Sequence, residues 1–66
     1  MKHEFKESSV LHSCSYDPTE KELTIVFHNG RAYTYVDVDK SDYEELTGEG
    51  SAGKKFAAMK GRLKLK

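Results

Sequence analysis

Two runs rich in β-branched and aromatic residues, 23–28 and 31–36, stand on either side of Asn29-Gly30. Asn and Gly both tolerate positive φ, which a two-residue type I′ turn requires at both central positions, so the spacing predicts a β-hairpin. That turn would set His28 opposite Arg31, Phe27 opposite Ala32, Val26 opposite Tyr33 and Ile25 opposite Thr34. Opposed residues share a face. Leu23, Ile25, Phe27, Ala32, Thr34 and Val36 are therefore expected on the core side. Thr24, Val26, His28, Arg31, Tyr33 and Tyr35 are expected on the other, which would be aromatic and polar at once.

The flanking segments extend this into a domain. Residues 9–16 alternate roughly and read as a strand, and Asp17-Pro18 opens a turn because proline fixes φ. Residues 1–7 are polar and expected to be frayed or loosely added. Asp39 or Ser41 can cap a helix, the latter with Glu44 at capping-box spacing. Tyr43 and Leu46 would face inward, and Gly48 would end the helix. Ser51 can cap a second helix to about Leu63, with Phe56, Met59 and Leu63 as its apolar stripe and Lys54, Lys55 and Arg62 opposite. The expected fold is α+β: a three-stranded antiparallel β-meander followed by two short helices, β-β-β-α-α, as one domain over residues 1–66.

A chain of 66 residues supports one thin hydrophobic core. Domains of this size commonly gain stability from disulfides, metals or self-association. Cys14 is the single cysteine, which excludes an internal disulfide and suits a reducing, cytoplasmic setting. The opening Met1-Lys2-His3-Glu4-Phe5-Lys6 lacks the apolar run of a signal peptide. No segment has the roughly 18 apolar residues of a membrane span. Self-association as a homo-oligomer is the compensation left. The zero net charge conceals a split: residues 1–50 hold all eleven acids and five bases, whereas 51–66 hold six bases and no acid. Such a segment either meets phosphates or is neutralised by the acidic remainder within the fold.

In order along the chain come Tyr16-Asp17-Pro18, Leu23-Thr24-Ile25-Val26-Phe27, Asn29-Gly30, Tyr33-Thr34-Tyr35, Val38, Tyr43 and Ser51-Ala52-Gly53-Lys54-Lys55-Phe56. Together they resemble the KTSC domain, a module of about this length found at the C-terminus of some lysyl-tRNA synthetases and as free-standing small proteins of bacteria and phages. Tyr33 and Tyr35 match its central Tyr-x-Tyr, and Ser51, Gly53 and Phe56 its later Ser-x-Gly-x-x-Phe. The resemblance spans roughly residues 8–62. The chain departs from the family at Asp39, where proline is frequent, and at Ala57-Ala58, where a polar residue follows the phenylalanine. The resemblance, through the synthetase attachment, makes RNA binding an expectation for this chain.

Several constellations bear on function. Tyr33 and Tyr35 on one sheet face are expected to stack nucleobases, or else to pack under a helix or across a dimer interface. His28 and Arg31, expected beside them, would meet base edges or phosphates. Gly48 to Lys55 approaches a Walker A pattern but has Lys55 where a hydroxyl should bind magnesium, so nucleotide hydrolysis is rejected. Ser51, Lys54 and Lys55 could still hold a phosphate at a helix start, or the glycines could serve only to turn the chain. Arg62 and the lysines of the tail would lie on a nucleic-acid backbone or form a solvated face. His12, Cys14 and His28 are too few and too scattered for zinc, and a buried Cys14 acting as a small hydrophobe accounts for it better, so no metal and no cofactor is expected. No nucleophile–base–orienter set is visible. The expectation is a non-enzymatic module that binds RNA or single-stranded nucleic acid through Tyr33, Tyr35, His28, Arg31, Ser51, Lys54, Lys55 and Arg62. The alternative is a phage or accessory protein that docks on a host protein, or an oligomer that sequesters a nucleotide signal.

Overall fold

The computed structural model describes residues Met1–Lys66. Its elements are β1 (Lys2–Glu4), β2 (Leu11–Asp17), β3 (Glu22–Phe27), β4 (Ala32–Val36), α1 (Lys40–Thr47), α2 (Ala52–Lys60) and β5 (Lys64–Leu65). The strands form one antiparallel sheet in the order β1-β2-β3-β4-β5, so every strand lies beside its neighbour in sequence. The α+β class is as expected, but the sheet has five strands rather than three. Residues 2–4, expected to be loose, pair with β2, and Phe5 beyond them is buried. The second helix stops at Lys60 instead of about Leu63, and the chain returns to the sheet as β5.

Alternation decides which face of the sheet is covered. Tyr16, Leu23 and Tyr35 form one cross-strand row, and Cys14, Ile25 and Tyr33 the next. All six belong to the core or pack against it, together with Tyr43 and Leu46 of α1 and Phe56 and Met59 of α2. Both helices therefore cover the same face. A bulge between Leu11 and Ser13 adds one residue to β2, which brings Leu11 to the same face as Cys14. Leu11, Leu23, Ile25, Val38 and Leu46 are fully enclosed, each adding about 1.5–3 kcal/mol of apolar burial.

The loops show how local chemistry fixes the elements. Asp17 Oδ1 accepts from the Thr19 and Glu20 amides at 2.9 and 3.3 Å, closing the Asp-Pro turn between β2 and β3. Asp39 occupies the cap position of α1, but its carboxylate faces Lys21 at 3.5 Å and makes no cap bond; Ser41 lies inside the helix, so the capping box is not used. Ser51 does cap α2, accepting from the Lys54 amide at 3.3 Å. Gly61 ends α2.

The hairpin between β3 and β4 departs from the two-residue turn. The Gly30 amide donates to the Phe27 carbonyl at 3.0 Å, and the Phe27 amide to the Arg31 carbonyl at 2.8 Å. Asn29 Oδ1 captures the Arg31 amide at 2.9 Å. Only Gly30, at φ +88°, lies in the left-handed region within the loop. The connection is thus the three-residue loop His28-Asn29-Gly30, in which one left-handed residue suffices. One added residue moves the register: Ile25 faces Tyr33 and Leu23 faces Tyr35. The core side of β3 is as expected, whereas that of β4 is reversed. Tyr33 and Tyr35 turn toward the helices, and Ala32, Thr34 and Val36 turn away.

Candidate binding surfaces

The corrected register changes what each expected site residue can reach. Tyr35 is 6% exposed, with its ring edge-on to Phe56 at 5.9 Å. Burial, and after it the neighbouring Tyr33, pushes its hydroxyl above the ordinary tyrosine range. Tyr33 is half-buried and meets Phe27 edge-on at 5.8 Å. These rings pack beneath α2 and do not form an exposed stacking platform. The aromatic face expected from a two-residue turn is absent for that reason.

The other expected residues do not converge on one point. Arg31 is exposed, and the neighbouring Tyr33 raises its pKa. His28 is engaged through Nε2, which donates to the Ser8 carbonyl at 2.9 Å, and its ring lies edge-on to His12 at 5.3 Å. Cys14 is in the core, away from any such pair, and burial pushes its thiol up to about 11. It behaves as the small hydrophobe the sequence suggests.

At the start of α2, Ser51 Oγ is occupied by the helix cap. The Lys55 ammonium folds back to donate to the Glu49 carbonyl of its own loop. Gly50, at φ +104°, supplies the left-handed residue that the loop needs. The groove alongside is lined by Glu4 and Glu7 as well as by Lys6, so its charges do not favour an anion. Gly50 turns the chain here, Gly53 lies within α2, and Lys54 stays exposed.

Much of the basic C-terminal segment is answered by acids of the first fifty residues. Arg62 meets Asp42 at 2.9 Å, Lys66 meets Glu22 at 3.0 Å, and Lys64 approaches Asp37 at 3.9 Å. These bases are well exposed, so each pair adds little stability. They nevertheless place a carboxylate beside three of the six positive charges. Lys54, Lys55 and Lys60 have no such partner, Lys55 donating instead to a backbone carbonyl.

The surface that sequence reasoning missed is the other side of the sheet. Its rows run Lys2, Ser15, Thr24, Thr34 and Glu4, Ser13, Val26, Ala32, with Val36 and Glu22 adjoining. No helix covers it, and Ser13, Ser15, Thr24, Val26, Thr34 and Val36 are half-buried by their neighbours. Thr24 and Thr34 share a hydroxyl hydrogen bond at 2.9 Å. The middle of the face is uncharged, small and free of aromatic rings. Its signal in the sequence was the Thr/Val/Ser alternation, legible only with the correct register of β4.

No helix is long and apolar enough to cross a membrane. Among curated proteins, none matches the chain. A crystal structure of a KTSC domain protein from Yersinia pestis is similar over 100% of this chain and 93% of that one, with a TM-score of 0.88 and 25% sequence identity. The model of the KTSC domain matches residues 7–59, the span that contains β2 to β4 and nearly all of both helices. The chain belongs to the KTSC domain family.

Proposed function

We infer that this chain is a non-enzymatic binding module that docks on another protein through the uncovered face of its sheet. The observation that carries this reading is the face itself: a regular, uncharged centre of Ser13, Ser15, Thr24, Val26, Thr34 and Val36, with both helices on the opposite side. β-Branched and small side chains on an uncovered sheet face suit packing against a second surface. Docking on a host protein is one reading the sequence leaves open, beside an oligomer that sequesters a nucleotide signal and nucleic-acid binding. Nucleic-acid binding loses its stacking element because Tyr35 is enclosed and Tyr33 packs on Phe27. What supports it is the pair Lys54 and Lys60, exposed and without carboxylate partners.

The two readings separate in one set of measurements. The chain and its Thr34→Lys variant serve as affinity baits, and labelled single-stranded RNA and DNA are titrated at about 50 and 200 mM salt. Docking predicts a stoichiometric protein partner lost with Thr34→Lys and nearly indifferent to salt. Nucleic-acid affinity that falls steeply with salt, and again with Lys54→Ala/Lys60→Ala, would replace docking by phosphate binding along α2.

A further inference from the structure

We propose that two copies of this chain associate through the free edge of β1, in antiparallel register about a two-fold axis at His3, joining their sheets into one. The backbone provides the first half of the argument. The Met1 ammonium donates to the Tyr16 carbonyl at 3.0 Å, the Tyr16 amide to the Met1 carbonyl at 2.7 Å, and the Phe5 amide to the His12 carbonyl at 3.0 Å. In an antiparallel ladder, inward bonding alternates along the strand, so residues 1, 3 and 5 face β2. The backbone groups of Lys2 and Glu4 therefore face away from the sheet. β1 is the outermost strand, and nothing in the fold lies beyond it.

Charge supplies the occupant. An antiparallel pairing centred on His3 sets Lys2 opposite Glu4 of the second copy, and Glu4 opposite its Lys2. Both residues are exposed, and neither is ion-paired within the chain. The pairing forms four backbone hydrogen bonds and two cross-strand ion pairs, every one repeated by the symmetry. The opposite edge does not share this property. On β5 the Lys66 amide bonds inward to Thr34, which leaves only Leu65 with outward backbone groups, between Lys64 and Lys66. Self-pairing there would set lysine against lysine. An antiparallel mixed contact of β1 with β5 would set Leu65 opposite Lys2 or Glu4 and leave Lys64 and Lys66 with no carboxylate directly opposite. Charge thus selects a closed dimer at β1 over self-pairing at β5 and over an open chain of subunits.

An edge contact of three residues is small, so the dimer is weak and concentration-dependent. It stands apart from the docking reading, because the edge can pair whether or not the face has a partner. The test is sedimentation equilibrium of the intact protein from about 10 µM to 1 mM, with circular dichroism to confirm folding. The wild-type chain shows a mass rising toward two copies. Lys2→Glu alone and Glu4→Lys alone each set like charges opposite one another and weaken association by about tenfold. An equimolar mixture of these two variants regains it, as does the double variant Lys2→Glu/Glu4→Lys, because both restore opposite charges across the axis. A mass of one chain throughout the range overturns the proposal. A dimer unmoved by the single reversals, or one that the mixture fails to restore, overturns it equally, since association would then use another surface.

Discussion

Replacing Tyr16 by phenylalanine removes one oxygen atom and tests how the strand-to-helix crossover is held. The Tyr16 ring is 3% exposed and stacks on Tyr43 with centroids 5.4 Å apart and planes 19° from parallel. Its hydroxyl donates to the Val38 carbonyl at 2.6 Å, a buried bond linking the end of β2 to the segment between β4 and α1. Val38 is fully buried, and its amide donates to the Lys21 carbonyl at 2.9 Å. Tyr16→Phe keeps the ring and its stacking but leaves the Val38 carbonyl enclosed without a donor. An unsatisfied buried group of this kind costs about 1–3 kcal/mol. A domain of 66 residues has a total stability of roughly 3–10 kcal/mol, so the loss is a large share of it. With about 4–8 °C per kcal/mol at this size, the melting temperature should fall by roughly 5–20 °C. Urea unfolding followed by circular dichroism should show a lower midpoint at unchanged slope. Tyr43→Phe is the control: that hydroxyl has no hydrogen-bond partner in the chain, so the cost should stay below about 0.5 kcal/mol. Equal effects of the two variants, within about 0.3 kcal/mol, would refute the idea that the Tyr16 hydroxyl pins the crossover.

Three further outcomes are expected. Gly30→Ala should cost about 1–2 kcal/mol by urea unfolding, wholly from backbone strain at φ +88°, because an added Cβ meets nothing within 4 Å; Gly30→Asn should cost less. Ser51→Ala should lose about 1 kcal/mol from the α2 cap, with Ser51→Asp restoring it, as read from thermal melts. Stability should fall at alkaline pH: Cys14 rises from 9.0 to about 11, and Tyr35 and Tyr43 also rise, so the folded chain keeps protons that the unfolded chain releases. The contribution of Cys14 is fully present below about pH 9 and lost as pH climbs through 11. Urea midpoints between pH 8 and 11 should decline less steeply for Cys14→Ala.

Sequence legibility depended on how many residues carried each signal. β3, with Leu23, Ile25 and Phe27 alternating against Thr24 and Val26, was read correctly because five positions agree. Tyr43 and Leu46 on α1, and Phe56 and Met59 on α2, were likewise legible from their spacing and are buried. The expected faces of β4 are reversed because they follow from the turn alone, and Asn29-Gly30, though favoured in a two-residue turn, also supplies the one left-handed glycine of a three-residue loop. The side-chain bond from Asn29 to the Arg31 amide accompanies the longer loop, and no propensity reveals it. β1 and β5 went unread because Lys2-His3-Glu4 and Lys64-Leu65 are short and mostly charged, the usual composition of edge strands. Their order comes from pairing with β2 and β4, a tertiary effect. The candidate site expected from the sequence follows from the same reversal, which puts Tyr33 and Tyr35 on the surface and Thr34 in the core.

The three-residue loop also limits which length changes the hairpin can accept. Removing one residue, Asn29 for example, would bring the strands into the two-residue register and exchange the two sides of β4. Tyr33 and Tyr35 would enter solvent, while Ala32, Thr34 and Val36 would fill too little of the space beneath α2. An odd insertion or deletion must therefore be absorbed by a bulge or by rebuilding the interior, whereas an even one leaves the alternation of β4 unchanged. In this chain the parity of the loop, more than the identity of its residues, determines whether Tyr33 and Tyr35 are interior packing or exposed surface.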